Sequence, residues 1–172
     1  AYPNRDSLGY KSIYGLEDVK TIFRGTIRRP GFCKAWNAFV QLGMTSDDYL
    51  FNNSKNATYR QFINSYLPYN VEKPVEQKVA DYLKVDEDSS MMYKLRWLGI
   101  FNDEEIGLEE ATPAQILQQL LESKLSLDSD DIDMIVMQHQ FVYELNDEIK
   151  KIYSSMIVYG VDSVHTAMSI TV

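Results

Sequence analysis

The sequence predicts an α+β chain: a partial mixed or antiparallel sheet with packed helices, interrupted by an all-helical insertion. Three observations predict it. A β-branched run at 19–27 opens the chain, helical periodicities with strong caps fill the middle, and two long alternating runs close it around Asn146-Asp147. The implied organisation is a discontinuous α/β domain built from 1–46 and 126–172, with 47–125 as a helical insertion subdomain.

Tyr2 to Ser7 reads as a loop, because Pro3 restricts its neighbour and Asn, Asp and Ser favour local side-chain to backbone bonds. Lys11 to Tyr14 can form a helical turn closed by Gly15. Val19 to Ile27 reads as a strand, with Val19, Thr21 and Phe23 on one face and Ile22 on the other. Gly25 interrupts it, which implies a bulge or a close approach to the backbone. Pro30-Gly31 starts a helix carrying Phe32, Trp36, Phe39 and Val40 at near-helical spacing, and Gly43 ends it.

Helices are expected at Tyr59 to Tyr66, Lys73 to Leu83, Ser89 to Leu98 and Pro113 to Lys124. Thr112-Pro113-Ala114-Gln115 is a capping-box start, with proline at the first helical position. Trp36 and Trp97 are expected in the core. Ile135 to Leu145 and Ile149 to Tyr159 form a hairpin about Asn146-Asp147; Gly160 stops it, and Ser163 can cap a last helix from Val164 to Val172.

With 172 residues and 45% hydrophobic content the chain can bury a substantial core. Its net charge of -8 disfavours a nucleic-acid partner. The acidic runs at Asp86–Asp88, Asp103–Glu110 and Asp128–Asp133 read as solvated surface rather than metal ligands. No apolar run approaches the roughly 20 residues that span a membrane. Pro3, Arg5 and Asp6 stand where a signal peptide would be apolar. Cys33 is alone, so no intrachain disulfide forms, and a reducing, cytoplasmic setting is expected. It reads as a packing residue rather than a nucleophile. His139 reads as a core or interface histidine, and two histidines and one cysteine so far apart make no zinc site.

The candidate chemistry lies near the start. Arg5, Arg24, Arg28 and Arg29 sit beside turn-forming residues and a β-branched strand, a pattern suited to anionic groups. The bland alternative is that they are surface groups or salt-bridge partners, and for Arg24 and Arg29 that alternative stands.

Tyr2-Pro3-Asn4-Arg5-Asp6-Ser7, Tyr14-Gly15-Leu16 and Arg24-Gly25-Thr26-Ile27-Arg28 together resemble the saccharopine dehydrogenase (saccharopine reductase) family of lysine metabolism. Gly31-Phe32 before a Trp36-containing helix, Trp97-Leu98-Gly99-Ile100-Phe101, Asp133 to His139 and Thr166 to Val172 extend the likeness in order along nearly the whole chain. The resemblance is to the substrate-binding part. There is no Gly-x-Gly-x-x-Gly after an N-terminal strand, so NADP is expected to be bound mainly by a Rossmann domain that precedes these motifs in the family. The chain is therefore expected to be a fragment, without redox activity alone and without catalytic residues of its own.

What the resemblance implies is an NADP-linked, L-glutamate-forming saccharopine dehydrogenase, with Arg5, Thr26, Ile27 and Arg28 as its saccharopine-binding residues. Saccharopine is a tricarboxylate, and Arg5 and Arg28 are each expected to clamp a carboxylate while hydride transfer occurs elsewhere. A homodimer is also implied. The alternatives are a carboxylated-polyamine (carboxynorspermidine-type) dehydrogenase fragment, or a non-enzymatic dimerisation or protein-interaction module.

Overall fold

The structure is a computed structural model and describes residues 1–4 and 6–171. It divides into two compact units, Ala1–Lys124 and Leu125–Val172. Helices with two antiparallel strand pairs make it an α+β protein, as the sequence patterning predicts.

In the first unit, β1 (Tyr2–Pro3) pairs antiparallel with β2 (Gly25–Thr26), in the register Tyr2 to Thr26 and Pro3 to Gly25. The helical turn α1 (Tyr10–Ile13) lies between them in sequence. The expected nine-residue strand is thus only two residues long. Its earlier part is tied to α1 instead: Leu16 N–H donates to Lys11 O at 2.7 Å, Val19 N–H to Leu16 O, and Lys11 Nζ to Val19 O at 2.8 Å. With no partner strand beside it, Phe23 stays exposed.

The helical body follows as α2 (Phe32–Gln41), α3 (Tyr59–Asn64), α4 (Val75–Leu83), α5 (Ser90–Leu98) and α6 (Pro113–Leu125). Caps set the starts. Thr58 and Gln61 form a capping box at α3, Ser89 Oγ accepts from Met92 N–H at α5, and Thr112 and Gln115 exchange bonds at α6. The core draws on all five helices, with Phe39, Phe62, Val79, Met92, Leu95 and Ile116 nearly inaccessible. Phe62 lies edge-on to Phe51 at 4.9 Å and to Tyr66 at 5.3 Å. Buried Tyr59 receives a bond from Gln119 Nε2, which also donates to Ile106 O; burial raises the Tyr59 pKa.

Trp36 and Trp97 are not core residues: they are 40% and 52% exposed. Each lies on the outward side of its helix, and Trp36 packs between Phe32 and Phe39 at ring distances of 5.9 and 5.7 Å. Cys33, expected to pack, is exposed on the first turn of α2.

In the second unit β3 (Met134–Leu145) and β4 (Glu148–Tyr159) pair from Leu145–Glu148 to Met134–Tyr159. Asn146 and Asp147 have φ of 53° and 61°, the signature of a two-residue primed turn whose twist matches the strands. The register puts Ile135, Met137 and Phe141 on one face with Val158, Met156 and Ile152. Val136, Val142 and Met134 share the other face with Ile157, Lys151 and Tyr159, so both faces are largely apolar, and most of these side chains are exposed. His139 is half-buried and stacked on Phe141.

The last helix, α7 (Ala167–Thr171), starts later than expected. The Asp162 carboxylate takes the N–H groups of Val164 and His165, holding a turn where a helix would need them, and Thr166 Oγ1 accepts from Ser169 N–H. Those N–H bonds and the His165 ring hold the exposed Asp162 carboxyl down to about 2. Val172, the expected end of this helix, lies outside the described residues.

Two outcomes follow from the helical body. Phe62→Ala should lower unfolding free energy by about 3–5 kcal/mol in urea titration, the range for truncating a buried aromatic. Arg60 makes a fork to Glu76 at 2.8 and 3.0 Å, tying α3 to α4, and this bond is the main reason the Glu76 pKa is lowered. A lowered carboxylate pKa adds stability above the unfolded value and loses it as pH falls through the folded one. Glu76→Gln should therefore cost about 0.5–1 kcal/mol at pH 7, allowing for solvent screening, and the difference from wild type should shrink on acidification below the ordinary carboxylate range.

Candidate carboxylate-binding site

The β1–β2 ladder joins the two arginine-bearing segments, which are over twenty residues apart in sequence. Gly25 permits it: a Cβ there would stand 3.0 Å from Tyr2 O and 2.7 Å from the Phe23 ring. The close approach expected at Gly25 is thus made by the chain itself. Beyond the ladder Asn4 N–H donates to Arg24 O at 2.9 Å, and Thr26 Oγ1 donates to Asn4 Oδ1 at 2.8 Å. The Thr26 hydroxyl proton is held by Asn4, leaving the oxygen free to accept.

The four expected site residues are distributed as follows. Thr26 is half-buried in β2 and bonded to Asn4. Ile27 is 74% exposed, offering a solvent-accessible backbone rather than a packed side chain. Arg28 is exposed, with its guanidinium 5.3 Å from the Phe32 ring. Among the described residues no carboxylate is within ion-pair distance of it. Arg5 lies outside the described residues.

Arg28 sits between two fixed points. On one side is β2. On the other, Gly31 turns the chain with φ of 87°, and Ala38 and Phe39 of α2 are buried in the helical core. Arg24 points elsewhere: Nη1 donates to Asp6 O at 3.1 Å, its N–H donates to Ser7 Oγ at 3.0 Å, and its guanidinium lies over the Tyr10 ring at 3.5 Å. Asp6 in turn accepts from Gly9 N–H ahead of α1. Asn4 and Tyr10 are the two contributors that residue patterning missed. Nothing local in the sequence marks Tyr10, since its partner lies fourteen positions on.

Chemically the region offers a planar cation with no ion-pair partner among the described residues, a hydroxyl oxygen and exposed backbone, groups suited to a carboxylate. Two concavities of the first unit lie elsewhere. One, of 410 Å³, is lined by apolar Trp36, Leu117 and Leu121; the other, of 400 Å³, by Tyr49, Phe51 and Tyr66. Neither is lined by a lysine or arginine. Among the described residues no three His, Cys, Asp or Glu converge as metal ligands, and no helix is long and apolar enough to cross a membrane. The described residues do not fit a dinucleotide cofactor either: both of their strand pairs are antiparallel, and among them no strand, glycine-rich turn and helix cradle a pyrophosphate.

The family model for the saccharopine dehydrogenase C-terminal domain matches residues 1–172. Mouse mitochondrial alpha-aminoadipic semialdehyde synthase is 31% identical over 99% of the chain, which covers 19% of that protein. The NADP(+), L-glutamate-forming saccharopine dehydrogenase of Saccharomyces cerevisiae is 30% identical over 99% of the chain, which covers 40% of it. The solved structure of apo, histidine-tagged saccharopine dehydrogenase (L-Glu forming) from S. cerevisiae superposes with a TM-score of 0.78 at 28% identity, covering 99% of this chain and 39% of that one. The chain therefore spans about two-fifths or less of the length of these relatives, and it belongs to the saccharopine dehydrogenase C-terminal domain family.

Proposed function

We propose that this chain is the substrate-binding part of an NADP-linked, L-glutamate-forming saccharopine dehydrogenase and binds saccharopine through its carboxylates. The observation that carries the reading is the free guanidinium of Arg28 beside a strand pair that joins both arginine segments. In this reading Arg28 and Arg5 each take a carboxylate in a bidentate contact, the Thr26 oxygen accepts from an amino or protonated group, and the exposed Ile27 backbone adds a bond. Fixing the carboxylates orients the carbon that exchanges hydride, an entropic service that needs no acid or base from this chain. NADP belongs to another part of the enzyme, in keeping with the antiparallel strand pairs of the described residues, which make no dinucleotide cradle. Residues 1–46 and 126–172 would then form one discontinuous α/β substrate domain, with 47–125 inserted. The cytoplasm is its proposed compartment, a reading that the free, exposed Cys33 supports.

In the full-length enzyme carrying this chain, Arg28→Ala should raise KM for saccharopine by about 10–100-fold, the loss of one charge-assisted contact. KM for NADP should be unchanged. An unaltered saccharopine KM would overturn the reading.

The hairpin favours a further role for the same protein. Its two apolar faces and unpaired edges suit a homodimer contact, because an isolated strand pair of this kind is an association surface. The enzyme should sediment as a dimer. Val136→Lys with Ile157→Lys, a cross-strand pair on one face, should shift it to monomer. A wild-type monomer at high concentration would exclude the contact.

A further inference from the structure

We infer that Arg24 is a positioning residue for the carboxylate site, and that Tyr10 is the platform that holds it. The inference rests on the proposed binding role of the arginine turn. It explains a side chain that family likeness leaves without a job.

Arg24 reaches residues on both sides of position 5. Its carbonyl accepts from Asn4 N–H at 2.9 Å, its N–H donates to Ser7 Oγ at 3.0 Å, and Nη1 donates to Asp6 O at 3.1 Å. It therefore ties Asn4, Asp6 and Ser7 to the residue that precedes β2. The next two residues, Gly25 and Thr26, are β2 itself and lead directly to Arg28. One residue thus holds Asn4, Asp6 and Ser7 against the strand that leads to Arg28, and a ligand with two carboxylates needs its binding groups held at a fixed spacing.

The guanidinium is suited to this and ill suited to a third clamp. One face lies 3.5 Å from the centre of the Tyr10 ring, and one N–H is committed to Asp6 O. Stacking on Tyr10 needs a planar cation, so lysine would keep the charge and lose the geometry. Tyr10 is held in turn by α1, whose lead-in is fixed by the Asp6 carboxylate bond to Gly9 N–H. Strand pairing, loop and platform form one closed circuit, and Arg24 is where it closes.

The test uses the full-length enzyme and compares Arg24→Met, Arg24→Lys, Tyr10→Leu and Arg28→Ala. Arg24→Met and Tyr10→Leu should each raise KM for saccharopine about tenfold, the scale of a small misplacement of binding groups, with KM for NADP and the thermal midpoint unchanged. Because both break one circuit, the double variant should be no worse than either alone. Arg24→Lys should resemble Arg24→Met. Rescue by lysine, with Tyr10→Leu silent, would show a charge acting directly on the ligand and overturn the inference. So would equal loss of affinity for both substrates with a lowered thermal midpoint. If Arg28→Ala leaves KM unchanged, the binding role itself fails. If Arg28→Ala raises KM while Arg24→Met and Tyr10→Leu match wild type, only the positioning role fails. Should Arg24→Met not fold, Tyr10→Leu alone decides, since it leaves Arg24 and its backbone bonds in place.

Discussion

The short ladder between Tyr2–Pro3 and Gly25–Thr26 is the constraint on which the site depends. Two residues on each side would not pair stably alone. They are held by what surrounds them: the Asn4–Arg24 and Asn4–Thr26 bonds extend the pairing by one step, and Gly25 lets the two backbones close. Release the ladder and Asn4 and Thr26 part, leaving Arg28 on a loop with only one fixed end.

The other end is supplied by the helical body. Its starts are fixed by reciprocal caps at Thr58 and Thr112, and its interior by interlocked aromatics around Phe62. Helix α2 carries that rigidity outward. Its buried Ala38 and Phe39 anchor it in the core, while its first turn presents Phe32 and the Gly31 bend beside Arg28. The core thus bears on the proposed site through where it makes α2 begin. The hairpin is built on a different principle: its register is dictated by a two-residue turn, and its apolar surface is offered outward.

Residue patterning read these elements unequally, for physical reasons. The hairpin was legible to within one residue at each strand start, and its turn at Asn146-Asp147 was legible outright, because alternation and an Asn-Asp turn are both local signals. The capping box at Thr112 was legible for the same reason. The strand at 19–27 was not, because β-branched residues describe a willingness to pair and cannot say whether a partner is present; here Leu16 and Val19 turn back onto α1 instead. Trp36 and Trp97 read as core because large aromatics usually are, yet helical spacing alone leaves the direction of a stripe undetermined. Of the proposed site, the arginine segments stand out in residue type and family likeness. The contacts of Asn4, Tyr10 and Arg24 do not, since they span 14 to 22 positions.

The central claim is that this strand pair assembles a clamp for two carboxylates of one ligand. A crystal structure of the full-length enzyme with saccharopine bound tests it most directly. The account predicts one carboxylate within about 3 Å of the Arg28 guanidinium and another on Arg5, with the Asn4–Thr26 bond intact. Saccharopine bound with Arg28 pointing into solvent, or seated in the Trp36 groove, would contradict it.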